Sequence, residues 1–170
     1  LDINKFKFGK SPISLQVGVD LGTILEKIIK RMRSQAESKG LSLVFNNPED
    51  QFSIKADVVK LKAVFKNIID NAIKYTPKGE VTVKVYNSQN SKFVIVSIKD
   101  TGIGIKKEEI KNLFENQFER TDQAKKIDSG MGIGLFHSAQ IIKGHNGKIW
   151  VQSSGESQGS EFYIELPIGE

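Results

Sequence analysis

Two amides and one ammonium group are spaced by helical turns in the middle of the chain, at Asn67, Asn71 and Lys74. These positions, i, i+4 and i+7, share one face of an α-helix. Amide oxygens suit a hard cation such as Mg²⁺, which prefers oxygen ligands, and an ammonium attracts phosphate as a point charge. The stripe predicts a phosphate and metal site. The alternative that the same spacing allows is a solvated polar face.

Two glycine-rich segments are suited to close approach by a ligand. In the first, Asp100 directly follows a predicted strand and precedes Gly102 and Gly104. Glycine lets the backbone come near a ligand, and a carboxylate there can accept a hydrogen bond from a ring's amino group; the alternative is a plain turn. In the second, alternating glycines precede a predicted helix, whose free N–H groups suit phosphate. They are Gly130, Gly132 and Gly134.

The second glycine segment differs from two common phosphate-binding loops. A dinucleotide fingerprint would need glycine where Leu135 or His137 stands, and a Walker P-loop would need Gly-Lys followed by Ser or Thr. The phosphate site predicted here therefore rests on a helix N-terminus and on neither of these motifs.

The composition is that of an ordinary globular domain and excludes several other classes. Of 170 residues, 38% are hydrophobic and 26% are charged. No Cys is present, which rules out a disulfide scaffold and a Cys-ligated metal site. No apolar run reaches the roughly 18 residues of a membrane helix. Of the net charge of +5, +4 lies in residues 1–40, and acidic residues interleave elsewhere, so no nucleic-acid partner is expected.

Hydrophobic periodicity predicts the elements that must position these groups. One helix follows Asp20 and stops at Gly40, a second begins at Asp57 and ends at Thr76-Pro77, and a third covers 132–143. A short helix is predicted at about 107–114, a loop with Pro12 and Gly18 before the first helix, and strands at 41–45, 52–56, 81–86, 93–99, 148–153 and 161–166. This order indicates an α+β domain with helices on one face of a sheet.

Five short motifs, in this order, resemble those of sensor histidine kinases. They are an N box at 67–77, a first glycine box at 100–105, an F box at 113–120, a second glycine box at 130–135 and a short glycine motif at 159–162. The resemblance covers about residues 57–167. It implies the catalytic and ATP-binding domain of such a kinase, with the Bergerat fold that gyrases, mismatch-repair ATPases and large heat-shock chaperones share. That fold is a two-layer α/β sandwich, here with a mixed sheet of about five strands and three main helices on one face.

The resemblance implies roles around Mg²⁺ and the phosphates of ATP. Asn71 would ligate Mg²⁺ through its side-chain oxygen, Asn67 would contact the phosphates or the metal's waters, and Lys74 would contact a phosphate. Arg120 would reach the γ-phosphate, where an arginine stabilises developing charge. Asn67, Lys74 and Arg120 are thus the predicted catalytic residues.

The remaining implied roles concern the base and the lid. Asp100 would accept the adenine amino hydrogen, and residues 116–131 would form an ATP lid over Tyr75. The other residues of the adenine pocket would be Gly102, Gly104, Ile105 and, through water, Ser160. The residues that set the lid's end against the phosphates would be Gly130, Gly132, Gly134 and Leu135.

The identity of residue 67 separates the branches of this family. ATP-hydrolysing relatives usually carry a Glu at the corresponding position to activate water, and an amide such as Asn67 cannot act as that base. The sequence therefore favours transfer of the γ-phosphoryl to another nucleophile. The alternative is a degenerate kinase-like module that binds ATP and regulates partner docking without transfer. Its main support is Met131, which replaces a usual Thr.

The phosphoryl acceptor is expected on another domain, because neither His137 nor His145 resembles the family's acceptor motif. Residues 1–18 resemble the end of a dimerisation helix and its linker, and 19–170 the catalytic domain. Expected partners are ATP, a histidine-bearing dimerisation domain of the same protein and the receiver domain of a response regulator. The fragment is expected to be monomeric and cytoplasmic, and its parent homodimeric, with membrane anchoring of the parent left open.

Overall fold

The computed structural model describes residues 12–46, 52–89, 92–115 and 133–169. Several predictions lie outside the described residues: the lid at 116–131, Arg120, Gly130, Gly132 and the dimerisation-helix end within 1–11.

Three long helices form where the apolar periodicity predicts them. The helices are α1 (Leu21–Ser38), α2 (Val58–Lys74), the short α3 (Lys107–Ile110) and α4 (Gly134–Gly144). Asp20 accepts hydrogen bonds from the N–H groups of Gly22 and Thr23, and Asp57 accepts one from Lys60. Both carboxylates thus cap a helix start. Within the described segments, no helix is both long and apolar enough to cross a membrane.

The strands divide between two sheets. They are β1 (Gln16–Asp20), β2 (Ser42–Asn46), β3 (Ser53–Ala56), β4 (Glu80–Asn87), β5 (Phe93–Asp100), β6 (Lys148–Gln152) and β7 (Ser160–Pro167). The main sheet is mixed and has the order β2–β4–β5–β7–β6, in which only the β2–β4 pair is parallel. With α1, α2 and α4 on one face, it confirms the predicted two-layer α+β fold.

The core lies between α2 and the inner face of the main sheet. Phe65 and Ile69 on α2 have no exposed surface, nor do Val83, Ile98 and Ile164 on the strands. Each fully buried side chain of this size contributes roughly 1.5–3 kcal/mol through the hydrophobic effect. This packing fixes the rotation of α2 about its axis, and so decides where its polar stripe points.

The predicted loop before the first helix is wrong for residues 16–18, which belong to β1. This strand pairs antiparallel with β3 in a separate two-stranded sheet, from Gln16 opposite Ala56 to Asp20 opposite Ser53. Gly18 has φ +71° at an irregularity in the register. Val17 and Val19 alternate with the other residues, but the strand is only five residues long, contains Gly18 and buries one residue, Val19. It therefore depends on its partner for pairing.

Two further expectations need correction. The short helix ends at Ile110, not near residue 114, and turns follow it. Trp150, a large apolar residue of the predicted strand at 148–153 and so core by default, lies instead on the outer face of the main sheet. In the register it is opposite Tyr163, and the two rings stack with centroids 5.2 Å apart. Strand alternation explains this, because Val151 faces the core.

A buried histidine joins the ends of two helices. His145 is 2% exposed, and its Nε2 accepts a hydrogen bond from the N–H of Asp57 at 2.9 Å. Its Nδ1 lies 2.8 Å from the carbonyl oxygen of Ile141, so the neutral ring carries its proton there. Asp57 also accepts a hydrogen bond from the N–H of Ser14. The end of α4, the start of α2 and the segment before β1 therefore meet at one point.

We expect His145→Ala to lower the free energy of unfolding by about 2 kcal/mol or more. The substitution leaves the buried N–H of Asp57 without a partner, which costs about 1–3 kcal/mol, and removes a buried ring. Urea unfolding followed by circular dichroism measures the change. Lys143→Ala, at an exposed position of α4, is the control and should stay within about 0.5 kcal/mol of wild type. Equal midpoints for the wild type and the His145 variant would contradict the assignment.

Candidate functional site

The predicted polar stripe lies on one side of α2. Asn67, Asn71 and Lys74 are partly buried, whereas the intervening apolar residues of the helix are fully buried. Lys74 Nζ lies 5.4 Å from the ring centroid of Tyr75, within cation–π distance. Tyr75 caps the end of the helix through its own N–H, which donates to the carbonyl of Asn71. The stripe and its aromatic neighbour therefore occupy the last turns of one helix.

The Asn67 amide packs against the start of α4. Its Nδ2 donates a hydrogen bond to Oγ of Ser138 at 3.1 Å. A Cβ at Gly134 would lie 2.5 Å from Oδ1 of Asn67, so the amide occupies the room that the glycine leaves. The neighbouring Leu135 is partly buried and packs against the core. A helix N-terminus, with its partial positive charge, thus adjoins the amide stripe.

Asp100 ends the central strand β5 as a buried carboxylate, 5% exposed. Its Oδ1 accepts hydrogen bonds from the N–H groups of Gly102 at 2.8 Å and Ser160 at 3.3 Å. Its Oδ2 accepts the Ser160 hydroxyl at 2.5 Å. These three described bonds use three of about four acceptor positions of an ionised carboxylate. The remaining capacity is on Oδ2 and suits an amino group of a ligand.

Burial raises the pKa of Asp100 above 3.8, and the hydrogen bonds from Ser160 and Gly102 offset only part of that rise. Burial penalises the charged form, whereas donors to the carboxylate favour it. The native fold therefore bears a cost for keeping this group ionised. A costly buried charge beside a glycine loop is typical of a binding site.

The loop after Asp100 requires glycine where it approaches other backbone. A Cβ at Gly102 would lie 2.3 Å from the carbonyl oxygen of Tyr75, and one at Gly104 would lie 1.9 Å from that of Gly155. Gly104 also has φ +68°, a region that side chains disfavour. Both predicted glycines therefore place the loop tightly between the end of α2 and the loop after β6.

Two residues that complete this loop were not singled out as site residues. Ser153 Oγ accepts a hydrogen bond from the N–H of Ile105 at 3.0 Å and donates one to the carbonyl of Gly159 at 2.7 Å. A Cβ at Gly159 would lie 2.1 Å from the carbonyl oxygen of Asp100. Gly159 could have been found, since it precedes Ser160 in the last motif. Ser153 gives no such signal, because Ile105, the residue whose N–H it accepts, is 48 residues away in sequence.

The donors present fit a hard cation only through amides. Among the described residues, no three His, Cys, Asp or Glu side chains come together as a metal cluster. Oxygen ligands on the α2 stripe are the amides of Asn67 and Asn71, and a cation such as Mg²⁺ binds with few protein ligands together with phosphates and waters. The stripe is consistent with a cation that arrives with a phosphate ligand.

Fold and site together define a two-layer α/β domain with a candidate site for a phosphate-bearing ligand that carries an amino group. A carboxylate with spare acceptor capacity closes one end of the site, and the amide stripe and the start of α4 form the other. The predicted Arg120, Gly130 and Gly132 lie outside the described residues.

Comparison with known proteins places the domain in a family. Residues 56–170 match the family described as "Histidine kinase-, DNA gyrase B-, and HSP90-like ATPase". The chain belongs to this family, as a catalytic domain of the histidine-kinase type. The predicted resemblance is confirmed.

Similar proteins are sensor kinases. The chain is 40% identical over 150 residues to the adaptive-response sensory kinase SasA of Rippkaea orientalis, covering 87% of the chain and 37% of that protein. It is 34% identical over 170 residues to the sensor protein kinase WalK of Staphylococcus haemolyticus, covering 98% of the chain and 27% of that protein. The chain thus spans about a third of the length of these relatives.

Two solved structures have the same fold. Full-length ShkA in complex with AMPPNP matches with a TM-score of 0.82 and 26% identity, over 96% of this chain and 33% of that one. The mycobacterial sensor histidine kinase MprB matches with a TM-score of 0.77 and 24% identity, over 91% of this chain and 97% of that one.

We expect Asp100→Asn to stabilise the domain at neutral pH. Between 3.8 and the raised native pKa, the native state holds a proton that the unfolded chain has lost, so wild-type stability falls as pH rises through that range. The uncharged amide avoids this loss. Urea unfolding across a pH series should give the variant a higher midpoint than wild type at pH 7. The difference between the two midpoints should shrink as the pH is lowered.

Asp57→Asn is the matched control, for which we expect the opposite change in stability. Burial alone would raise the pKa of Asp57, but hydrogen bonds from the N–H groups of Lys60 and Ser14 and the Lys60 ammonium bring it below 3.8. Its carboxylate therefore stabilises the fold above pH 3.8, and that contribution is lost as pH falls through the native pKa. The Asp57 variant should be less stable at pH 7. A lower midpoint for Asp100→Asn as well would show that its hydrogen bonds outweigh its burial.

Proposed function

We propose that this domain binds Mg²⁺-ATP and transfers the γ-phosphoryl group to a histidine on a dimerisation domain of the same protein, in two-component signalling. The observation that carries the proposal is Asp100, a buried carboxylate with acceptor capacity left on Oδ2. Such a group suits the exocyclic amino group of adenine. The amide stripe of α2, beside the start of α4, then suits the phosphates and their cation.

Adenine selectivity would follow from the polarity of Oδ2 of Asp100. The amino group of adenine donates a hydrogen bond to this oxygen, whereas a carbonyl oxygen at the same position of another base would be repelled by it. Leaving a buried polar group unpaired costs about 1–3 kcal/mol, so a base without the amino group loses most of its affinity. Ser160, which donates its hydroxyl to the same oxygen, would orient the carboxylate and support the base through water.

Asn71 and Asn67 would hold Mg²⁺ or its waters, and Lys74 would contact a phosphate. When bound, the cation neutralises charge on the transferring phosphoryl group. Lys74 and the N–H groups at the start of α4 would add fixed positive charge near the same oxygens. Arg120 and the glycines of the second box are proposed to complete this environment from the lid.

Phosphoryl transfer is favoured over hydrolysis because Asn67 stands where a general base would be needed to activate water. An amide has no proton-accepting capacity at neutral pH. In the proposed reaction the bond between the γ-phosphorus and the bridging oxygen breaks, an N–P bond forms at an unprotonated imidazole nitrogen, and ADP leaves. The acceptor is not His145, whose two ring nitrogens are engaged with Asp57 and Ile141.

Further proposals concern the parent protein. The proposed parent is dimeric, with residues 1–18 leading from the dimerisation domain and 19–170 forming the catalytic domain. The names of the relatives, sensory and sensor protein kinases, support a signalling role. A response-regulator receiver domain would then take the phosphoryl group from the histidine.

We expect Asp100→Asn to weaken ATP binding by more than about tenfold. Two N–H groups donate to Oδ1, so the amide must place its oxygen there and its Nδ2 toward the base, where it repels the adenine amino group. Calorimetry with ATP and GTP measures the preference of the domain for ATP over GTP. This preference should shrink, because the substitution weakens ATP binding more than GTP binding. Asp57→Asn, remote from the loop, is the control. Unchanged ATP affinity in the Asp100 variant would contradict the adenine assignment.

Transfer itself is tested by mixing the domain, γ-labelled Mg²⁺-ATP and a separately purified dimerisation domain that carries the acceptor histidine. We expect acid-labile phosphohistidine with wild type and at least about tenfold less with Asn71→Ala, which lacks the metal-ligating oxygen. Good ATP binding without any phosphohistidine would instead indicate a binding module. Steady phosphate release by the domain alone would indicate a hydrolytic enzyme.

A further inference from the structure

The side-chain amide of Asn67 can face the start of α4 with either of two ends, an acceptor or a donor. Its oxygen accepts hydrogen bonds and can ligate a cation, whereas its nitrogen donates and can bind a phosphate oxygen directly. Which end faces the site therefore decides which part of a metal–nucleotide complex Asn67 contacts. The residues that fix this choice lie on α4.

Ser138 is the α4 residue that engages one end of this amide. Its hydroxyl is 3% exposed, lies one turn after Gly134, and accepts the hydrogen bond from Asn67 Nδ2 at 3.1 Å. The other end of the amide, Oδ1, lies nearest the Cβ position of Gly134, at 2.5 Å against 2.9 Å for Nδ2. The acceptor end is thus nearest the first residue of α4.

We propose that Ser138 is a positioning residue for the cation: it engages Nδ2 of Asn67 and so presents Oδ1 to Mg²⁺ or a metal-bound water. The inference rests on the proposed function, because it takes Mg²⁺-ATP as the ligand. The sequence alone leaves open whether Asn67 contacts the phosphates or the metal's waters. Phosphate oxygens only accept, so Oδ1 needs a cation or a water between itself and them.

Packing alone does not account for a serine here. The position lies where α4 crosses α2, and a small apolar side chain would fill the same space without burying a hydroxyl. A buried hydroxyl is costly unless it is hydrogen-bonded. The bond to Asn67 offsets that cost and holds the amide against α4.

The test measures the Mg²⁺-dependent gain in ATP affinity, that is, the Kd in EDTA divided by the Kd in saturating Mg²⁺. Ser138→Thr and Ser138→Val form a matched pair of equal shape, of which only the first keeps the hydroxyl. Ser138→Ala removes the hydroxyl without adding volume, so it serves where the larger pair fails to fold. Urea unfolding of each variant reports stability separately.

We expect the gain to fall about fivefold in the Ala and Val variants, the value of one ordinary hydrogen bond, and to stay within about twofold of wild type in the Thr variant. ATP affinity in EDTA should change by less than about twofold in all three. An unchanged gain in Ser138→Ala would overturn the proposal. So would a loss of affinity of equal size with and without Mg²⁺, which is the result of a merely structural role.

A double-mutant cycle shows whether the effect acts through Asn67. In an Asn67→Ala background, Ser138→Ala should leave the remaining gain unchanged, and a full additive loss would overturn the proposal. The Mg²⁺-dependent gain in ATP affinity of the wild-type domain is measured first. If Mg²⁺ does not strengthen ATP binding to the wild-type domain, the magnesium site itself fails. If the gain is present and insensitive to Ser138, only the positioning role fails.

Discussion

The buried charge of Asp100 is the constraint on which the site depends. A carboxylate at the end of a central strand is out of water, and it stays ionised only if donors surround it. The chain supplies them from two loops: an N–H from Gly102, and the N–H and hydroxyl of Ser160. Gly159 must then lie against the backbone of Asp100, where a side chain would not fit. Gly102, which donates to the carboxylate, and Gly159, which lies against its backbone, are thus both tied to satisfying one charge.

A second constraint comes from α2, whose two ends serve different purposes. Its apolar face is buried in the core, so its rotation is fixed and Asn67, the first residue of the polar stripe, meets α4. At the far end, the carboxylate of Asp57 caps the helix, and the N–H of Asp57 donates a hydrogen bond to His145, the residue that follows α4. The two helices are therefore held together both near the candidate phosphate site and near the segment that precedes β1. A displacement of either helix would therefore change the contacts at both of these points.

Most of the fold was predictable because its long elements carry strong periodicity. The buried residues of α1 and α2 recur at helical spacing, and β4 and β5 alternate. β1 was missed because it buries one residue and depends on β3 for its pairing. The site motifs were local and could be found, whereas Ser138 and Ser153 act on partners that lie 71 and 48 residues away in sequence. Such contacts exist only once the layers have packed.

The identity of residue 67 has a consequence beyond the absence of a base. A glutamate there would have two equivalent oxygens and a negative charge beside the phosphates, so no neighbour would need to orient it. Asn67 is neutral and has two unlike ends, and its function then depends on which end is held. A hydroxyl at position 138, one turn from the glycine that makes room for the amide, is the partner proposed to hold it. In the proposed reaction, an amide in place of a water-activating base therefore needs a partner that orients it, and α4 offers a hydroxyl for this within one helical turn of Gly134.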